Sequence, residues 1–428
     1  MSATTQITAA GTGSSVVVTR CQVCESPDLR PILFLGYLPP VNQMRAIGSA
    51  PEEQPSYPAL LLLCAKCRLL QLGLIVDPAI LFAPDYPYTS GTTQILRDNF
   101  AELCAECQTI APLTSDDLIL DIGSNDGTLL QNFRKIGCRV LGIEPSRVVG
   151  ELARTRGIET ISEFFNREVA LQARTNHGPA KIVTATNVFA HIEHIHEVVE
   201  NILLLLDQNG IFVSESHYCL SLVETLQYDT IYHEHLRYYS LQSLQPLLQL
   251  HGLEVIHAKR IPTHGGSIRV YAARTGRFPV RDTVDALLKQ ESTGLTDTAL
   301  DDFRRKTVLS KLQLHSLLLG IKRQGQKVYG IAAPSRATTL INYIGLDQGI
   351  MECVVETAGS LKIGKYIPGT LIPVLEESKL YQDQPEYVLI LAWHIAEELI
   401  PKLVAKGYRG HFIVPLPEPR LVHSSAKR

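Results

Sequence analysis

Three clusters of residues in this 428-residue chain have the types and spacing to do chemistry. The first is Tyr232-His233-Glu234-His235, inside the aromatic run over 228–239. An imidazole titrates near neutrality and a nearby carboxylate can fix its tautomer, so the run suits a general base. In an extended segment, His233 and His235 would face one side and Tyr232 and Glu234 the other. Position alone does not choose between the histidines, and two histidines without a third ligand at metal spacing make a poor metal site. The second cluster is Cys21-x-x-Cys24 with Cys64-x-x-Cys67. Each pair follows an apolar, strand-like run, so two turns offer four sulfurs and predict one structural zinc ion with no open ligand position. Cys104 and Cys107 share one face of an expected helix and read as packing, as do Cys138, Cys219 and Cys353. The third cluster is Asp121-Ile-Gly123-Ser124-Asn125-Asp126-Gly127. An apolar run enters it and a helical pattern leaves it, which predicts strand, Gly-rich turn and helix. Gly123 lets backbone approach a ligand, and Gly127 lets the helix start against the strand. No P-loop lysine follows, so tight phosphate binding is not implied. Glu144, closing the next apolar run, suits a ribose with both hydroxyls free.

The elements that must position these residues predict an α/β protein. Its parts are a small N-terminal zinc-binding domain (1–76), a central Rossmann-like domain (77–283) and a second Rossmann-like domain (284–428). Residues 1–14 are small and polar and are expected to be disordered. Tyr86, Tyr88 and Ser90 lie on an irregular segment that could line a pocket, although composition alone favours an ordered loop. Asn187 and His191 follow an apolar strand, at the end where open α/β sheets place ligands. A hairpin over 253–273 closes the central sheet, and residues 282–322 read as helical. A second strand–turn–helix follows over 327–340, with Pro334, Ser335 and Arg336 at a helix start, where an anion would sit. With the basic loop carrying Lys362, Lys365 and Tyr366, this predicts a phosphate ligand.

Forty basic against forty-three acidic residues give a net charge of −3, and nothing in that balance suggests a nucleic-acid surface. No apolar run approaches a membrane span, and the first residues lack a signal-peptide pattern. Nine cysteines, six of them in C-x-x-C pairs, suit metal in a reducing compartment, so the chain is expected to be cytoplasmic. Nothing in the sequence indicates an oligomeric state.

An acid closing the first strand, a Gly-x-x-x-Gly turn and Glu144 closing the second resemble the cofactor loop of S-adenosylmethionine (SAM) methyltransferases. A cationic sulfonium suits a loop carrying Asp121 and Asp126. Nearly the whole chain resembles a narrower family, the zinc-containing C-methyltransferases of nucleotide-linked 4-keto-deoxysugars. The resemblance rests on the paired C-x-x-C turns, Tyr86-x-Tyr88-x-Ser90-Gly-Thr, the loop over 121–127, Asn187-Val-x-Ala-His191, and Tyr228-Asp-Thr-Ile-Tyr232-His-Glu-His235. It continues with Ala333-Pro334, Thr339-Leu-Ile-Asn342-Tyr343 and Lys365-Tyr366-x-Pro-Gly-Thr370.

The resemblance implies bound SAM and zinc, with SAM contacts from Asp121, Gly123, Ser124, Asn125, Asp126, Gly127, Glu144 and Asn187. A nucleotide-sugar substrate would lie against the C-terminal domain, near Tyr88, Ser90 and His233. His235 would be the base, with Tyr232, Glu234, His191 and Tyr86 beside it. The chain departs from the family where Arg336-Ala337 replaces a common Lys-Gly, and where Glu356-Thr-Ala-Gly-Ser-Leu-Lys362 replaces Asp-x-Asn-Pro-x-Lys. Both departures bear on the substrate. The competing readings are a methyltransferase acting on oxygen or on a non-sugar ketone, and a zinc-bearing RNA-binding or scaffold protein built on a methyltransferase core.

Overall fold

The computed structural model describes residues 7–10, 13–50, 52–82, 91 and 93–423. Its N-terminal part opens with a hairpin of β1 (Ile7–Ala10) and β2 (Gly13–Val17). The antiparallel strands β3 (Leu29–Leu38), β4 (Tyr57–Cys64) and β5 (Leu70–Leu72) follow. Strand β6 (Leu74–Val76) then returns to pair with β2. The expectation of disorder over 1–14 therefore does not hold for the described strands, whose backbone groups find ladder partners.

The central sheet has the order β13-β14-β11-β10-β7-β8-β9. Strands β7 (Leu118–Ile122), β8 (Arg139–Ile143), β9 (Thr160–Ile161), β10 (Ala180–Thr186) and β11 (Leu206–His217) are parallel. All five residues of β7 are buried, as expected of a strand covered on both faces. A two-residue strand, β12 (Arg237–Tyr238), leaves this sheet and pairs with β5 of the N-terminal part. The hairpin β13 (Leu253–Ile261) and β14 (Ser267–Arg274) adds the antiparallel edge. Cys104, Cys107 and Cys138 are buried in the core on one side of the sheet.

Helices Thr283–Gly294 and Asp297–Arg323 lead into the last sheet. It comprises β15 (Val328–Ile331), β16 (Cys353–Glu356), β17 (Val374–Glu376), β18 (Tyr387–Ile390), β19 (His411–Val414) and β20 (Arg420–Val422). The order is β17-β16-β15-β18-β19-β20, parallel except for β20. Two Rossmann-like sheets and a cysteine-bearing N-terminal sheet give the mixed α/β architecture. Among the described residues, no helix is long and apolar enough to cross a membrane.

Candidate active site

The four cysteines of the paired turns converge. Their sulfurs all lie within 4.8 Å of one another, with Cys21 and Cys67 at 3.4 Å and Cys24 and Cys64 at 3.5 Å. Four sulfurs on a tetrahedral zinc, each at about 2.3 Å, stand roughly 3.8 Å apart, so the cluster fits the ion with little adjustment. The Val23 N–H donates to Cys21 Sγ and the Cys67 N–H to Cys64 Sγ, which favours thiolates. Hydrogen bonding from Cys67 draws the Cys21 thiol down to about 5.

The carboxyl ends of β7, β8 and β10 bring together most residues of the expected cofactor loop. Asp121 is buried and accepts a hydrogen bond from Thr184 Oγ1 at 2.6 Å; burial pushes its carboxyl up to about 7. Glu144 accepts from the backbone N–H of Asn125 (2.9 Å) and of Ser146 (2.8 Å), tying the second strand end to the turn after the first. Gly123 has φ +70°, and a Cβ there would meet Val188 Cγ2 at 2.9 Å. Two buried polar atoms, Ser124 Oγ and Asn187 Oδ1, have no hydrogen-bond partner among the described residues, and Asn187 adopts φ +57°. Orphaned acceptors beside two carboxylates suit a ligand bearing an ammonium group, ribose hydroxyls and a sulfonium, so the site fits SAM.

Asp126 is placed differently from expectation. Its oxygens accept from Gly91 N–H, Thr128 N–H and Thr128 Oγ1, and pair with Arg156 at 2.9 Å, so it braces the turn. Gly127 packs against Ile158, and its φ of +74° starts the helix Thr128–Lys135. Glu144→Ala is expected to weaken SAM binding by about 1–3 kcal/mol, the scale of hydrogen bonds to a charged group. Titration calorimetry reads this directly, and unchanged affinity would place the ribose elsewhere.

The histidine segment is a turn, not the extended stretch expected. The His235 N–H donates to the Tyr232 carbonyl at 2.9 Å, and this turn brings the Tyr232 and His235 rings to one side, centroids 4.1 Å apart. His233 faces away, with Nε2 3.3 Å from the Pro58 carbonyl and its ring against Tyr57. His235 Nδ1 lies 2.9 Å from the Thr230 carbonyl, so it carries the proton there and Nε2 is the bare nitrogen. His191 and His217 flank the same ring at 4.9 and 4.8 Å, and His264 stands 5.8 Å beyond His217. The His191 loop follows Asn187 directly, so the segment that carries the orphaned Asn187 oxygen also carries a ring packed against His235. Buried Arg237 fastens that loop through the carbonyls of Ile192 and Glu193. Burial, with His191 close by, holds His235 well below the ordinary imidazole range.

Glu234 meets the other two parts of the chain. Asn42 Nδ2 donates to its Oε1 at 2.7 Å, and Ser335 Oγ donates to Asn42 Oδ1 at 3.1 Å. Lys362 Nζ donates to the Ala333 carbonyl at 2.6 Å, within electrostatic reach of Glu234 and Glu356. Burial holds the Lys362 ammonium below the ordinary lysine range and nearby Lys365 lowers it further, while Tyr366 OH accepts from the Gly48 N–H. Pro334 precedes the helix Ser335–Ile344 as expected, but Arg336 turns inward onto Asp229 instead of offering its charge to an anion. Tyr86, Tyr88 and Ser90 lie outside the described residues. Asn42, His217 and His264 were not anticipated. His217 ends β11, a strand-end position that could have been read from the sequence, whereas nothing local marks Asn42.

Comparison with known proteins bears on what this arrangement does. A zinc binding domain family matches residues 21–82, a methyltransferase domain family residues 95–258, and the C-methyltransferase C-terminal domain family residues 262–417. The C-methyltransferase NovU of Streptomyces niveus is 34% identical over 416 residues, covering 96% of this chain and 98% of that protein. The chain belongs to the C-methyltransferase family. Among solved structures, the YcgJ protein from Bacillus subtilis is 14% identical with a TM-score of 0.32, covering 42% of this chain and 100% of its own. Magnesium protoporphyrin IX methyltransferase from Synechocystis with bound SAM is 14% identical with a TM-score of 0.33, covering 42% of this chain and 79% of its own.

This C-methyltransferase is therefore a SAM-dependent enzyme with a zinc-binding domain, in which Cys21, Cys24, Cys64 and Cys67 would hold the ion. SAM supplies an electrophilic methyl group. Around the His235 ring stand the rings of His191, His217 and Tyr232.

Proposed function

We propose that this C-methyltransferase methylates the carbon α to the ketone of a nucleotide-linked keto-deoxysugar, through an enolate. The observation that carries the reading is the His235 tautomer. With Nδ1–H held by the Thr230 carbonyl, Nε2 is free to take a proton, and it sits among groups that can donate to a developing oxyanion. Methylating carbon requires a carbanion, and an adjacent ketone makes one accessible as its enolate. Tyr232 and His191 are the candidate donors to the enolate oxygen, and Glu234, fixed by Asn42, orients a substrate hydroxyl. Lys362, Lys365 and Ser335 offer the anion-binding side for a diphosphate, while Arg336 serves another purpose. The nucleotide-sugar class is carried by the resemblance of the motifs above.

Mass spectrometry with SAM and thymidine- or uridine-diphosphate-linked 4-keto-6-deoxyhexoses tests the reading. The expected product gains one methyl group on carbon, located by carbon NMR. A methyl group on oxygen, or turnover only of ketones lacking the nucleotide, would replace this reading with a competitor.

The pH dependence follows from burial of His235. A base must be neutral to act, so the rate falls as pH drops through its folded pKa and is unaffected by this group above it. Because that pKa lies below the ordinary value of 6.5, turnover is expected to stay flat from about pH 8 down to 6.5 and to decline only below that. An acid limb centred above pH 7 would point to another base.

A further inference from the structure

An arginine has five N–H donors, and in this fold Arg336 uses all five. Nε and Nη2 reach the two oxygens of Asp229 at 2.9 and 3.0 Å, and Nη2 also reaches Gln227 Oε1 at 3.0 Å. Nη1 reaches the His264 carbonyl at 3.4 Å and His394 Nδ1 at 3.0 Å. The Trp393 ring stacks 5.0 Å from the guanidinium, and its Nε1 donates to Asp229 Oδ2 at 2.7 Å. Asp229 has no exposed surface and Arg336 only 6%. A buried pair is held only by its protein partners, so its geometry is set by the fold. Arg336 opens the helix after β15, and Trp393 and His394 follow β18, so two neighbouring strands of the C-terminal sheet close on one point of the central domain. That point is the single turn Tyr228–Thr230, and the Thr230 carbonyl at its end accepts from His235 Nδ1 and from Tyr238 OH.

We propose that Arg336 and Asp229 are positioning residues through which the C-terminal domain holds the Thr230 carbonyl against His235, keeping Nε2 the bare nitrogen. Its catalytic meaning rests on His235 being the base. Asp229 fixes the turn, the turn aims the carbonyl, and the carbonyl selects the tautomer. Without that acceptor, the imidazole is free to carry its proton on Nε2 and lose its basic nitrogen on the substrate side.

The tautomer can be read by two-bond proton–nitrogen NMR on the full chain with isotope-labelled histidine, His235 being assigned by its loss in His235→Asn. Wild type is expected to show the Nδ1–H form. The double variant Asp229→Asn/Arg336→Gln leaves no unpaired buried charge and is expected to show a mixture with the Nε2–H form. Arg336→Lys keeps a charge beside Asp229 and is expected to restore the wild-type pattern in part. Turnover of a thymidine-diphosphate 4-keto-6-deoxyhexose should fall about tenfold to a hundredfold in the double variant, the cost of misplacing a reacting group. SAM affinity should stay within about twofold, because the cofactor loop is untouched.

An unchanged Nδ1–H pattern in the double variant overturns the inference. Full turnover by His235→Asn would instead overturn the base reading, leaving the tautomer result to stand on its own. If the double variant does not fold, Trp393→Phe removes one bond to Asp229 and serves the same comparison. A partial shift toward Nε2–H supports the proposal, and no shift overturns it.

Discussion

His235→Asn is expected to lose turnover by a hundredfold or more while still binding SAM, the scale of a missing general base. A proton beside a sugar ketone is weakly acidic, so its removal needs a neutral base at contact distance and donors for the enolate oxygen. Proton exchange isolates that step. In heavy water, wild-type enzyme with keto-sugar nucleotide and S-adenosylhomocysteine should exchange the α-proton for deuterium without any methyl transfer. His235→Asn should lose exchange and turnover together. His233→Asn should keep both, because His233 points away toward Pro58 and Tyr57. Full activity in His235→Asn with loss in His233→Asn would reverse the assignment, and activity in both would require a different base.

Removing the metal is expected to have an effect as large, reaching past the N-terminal sheet. Structural zinc in small peptides contributes about 10–16 kcal/mol of apparent binding energy, against a typical total stability of about 5–15 kcal/mol. Even a fraction of that loss would unfold the sheet of β3, β4 and β5. Strand β5 carries β12, through Arg237 opposite Gln71 and Tyr238 opposite Leu70, and β12 begins two residues after His235. Cys64→Ser should therefore take zinc from one per chain to none, lower the melting temperature and abolish turnover. Elemental analysis and scanning calorimetry check this. A Cys21→Ser/Cys64→Ser protein that retains zinc and melts like wild type would show that the four sulfurs are not its ligands.

The parts of this enzyme that could be read from sequence are those built within one local unit. Asp121, Gly123 and Glu144 belong to a single strand–turn–helix–strand unit, whose spacing places them together. The four cysteines sit on two turns whose residue type admits few roles. The residue pattern left His233 and His235 open, and only the resemblance favoured His235. That the two rings face different ways depends on the turn that links the His235 N–H to the Tyr232 carbonyl, which periodicity in a short aromatic run does not reveal. Arg336 was expected to meet an anion at a helix start. Its anion turned out to be Asp229, one hundred and seven positions away. Asn42 joins Glu234 to Ser335 across 192 and 293 positions, and no local pattern records a contact of that range.

The pairing of β12 with β5 also bears on how such an enzyme can arise and be altered. A gene segment encoding only the central sheet would leave β12 with no neighbour, and a transplanted N-terminal segment would need a matching edge to receive it. Recombination at the domain junctions would break the pairing that carries β12, two residues beyond the turn of Tyr232 and His235, so such an enzyme is better altered by point changes than by exchanging whole modules.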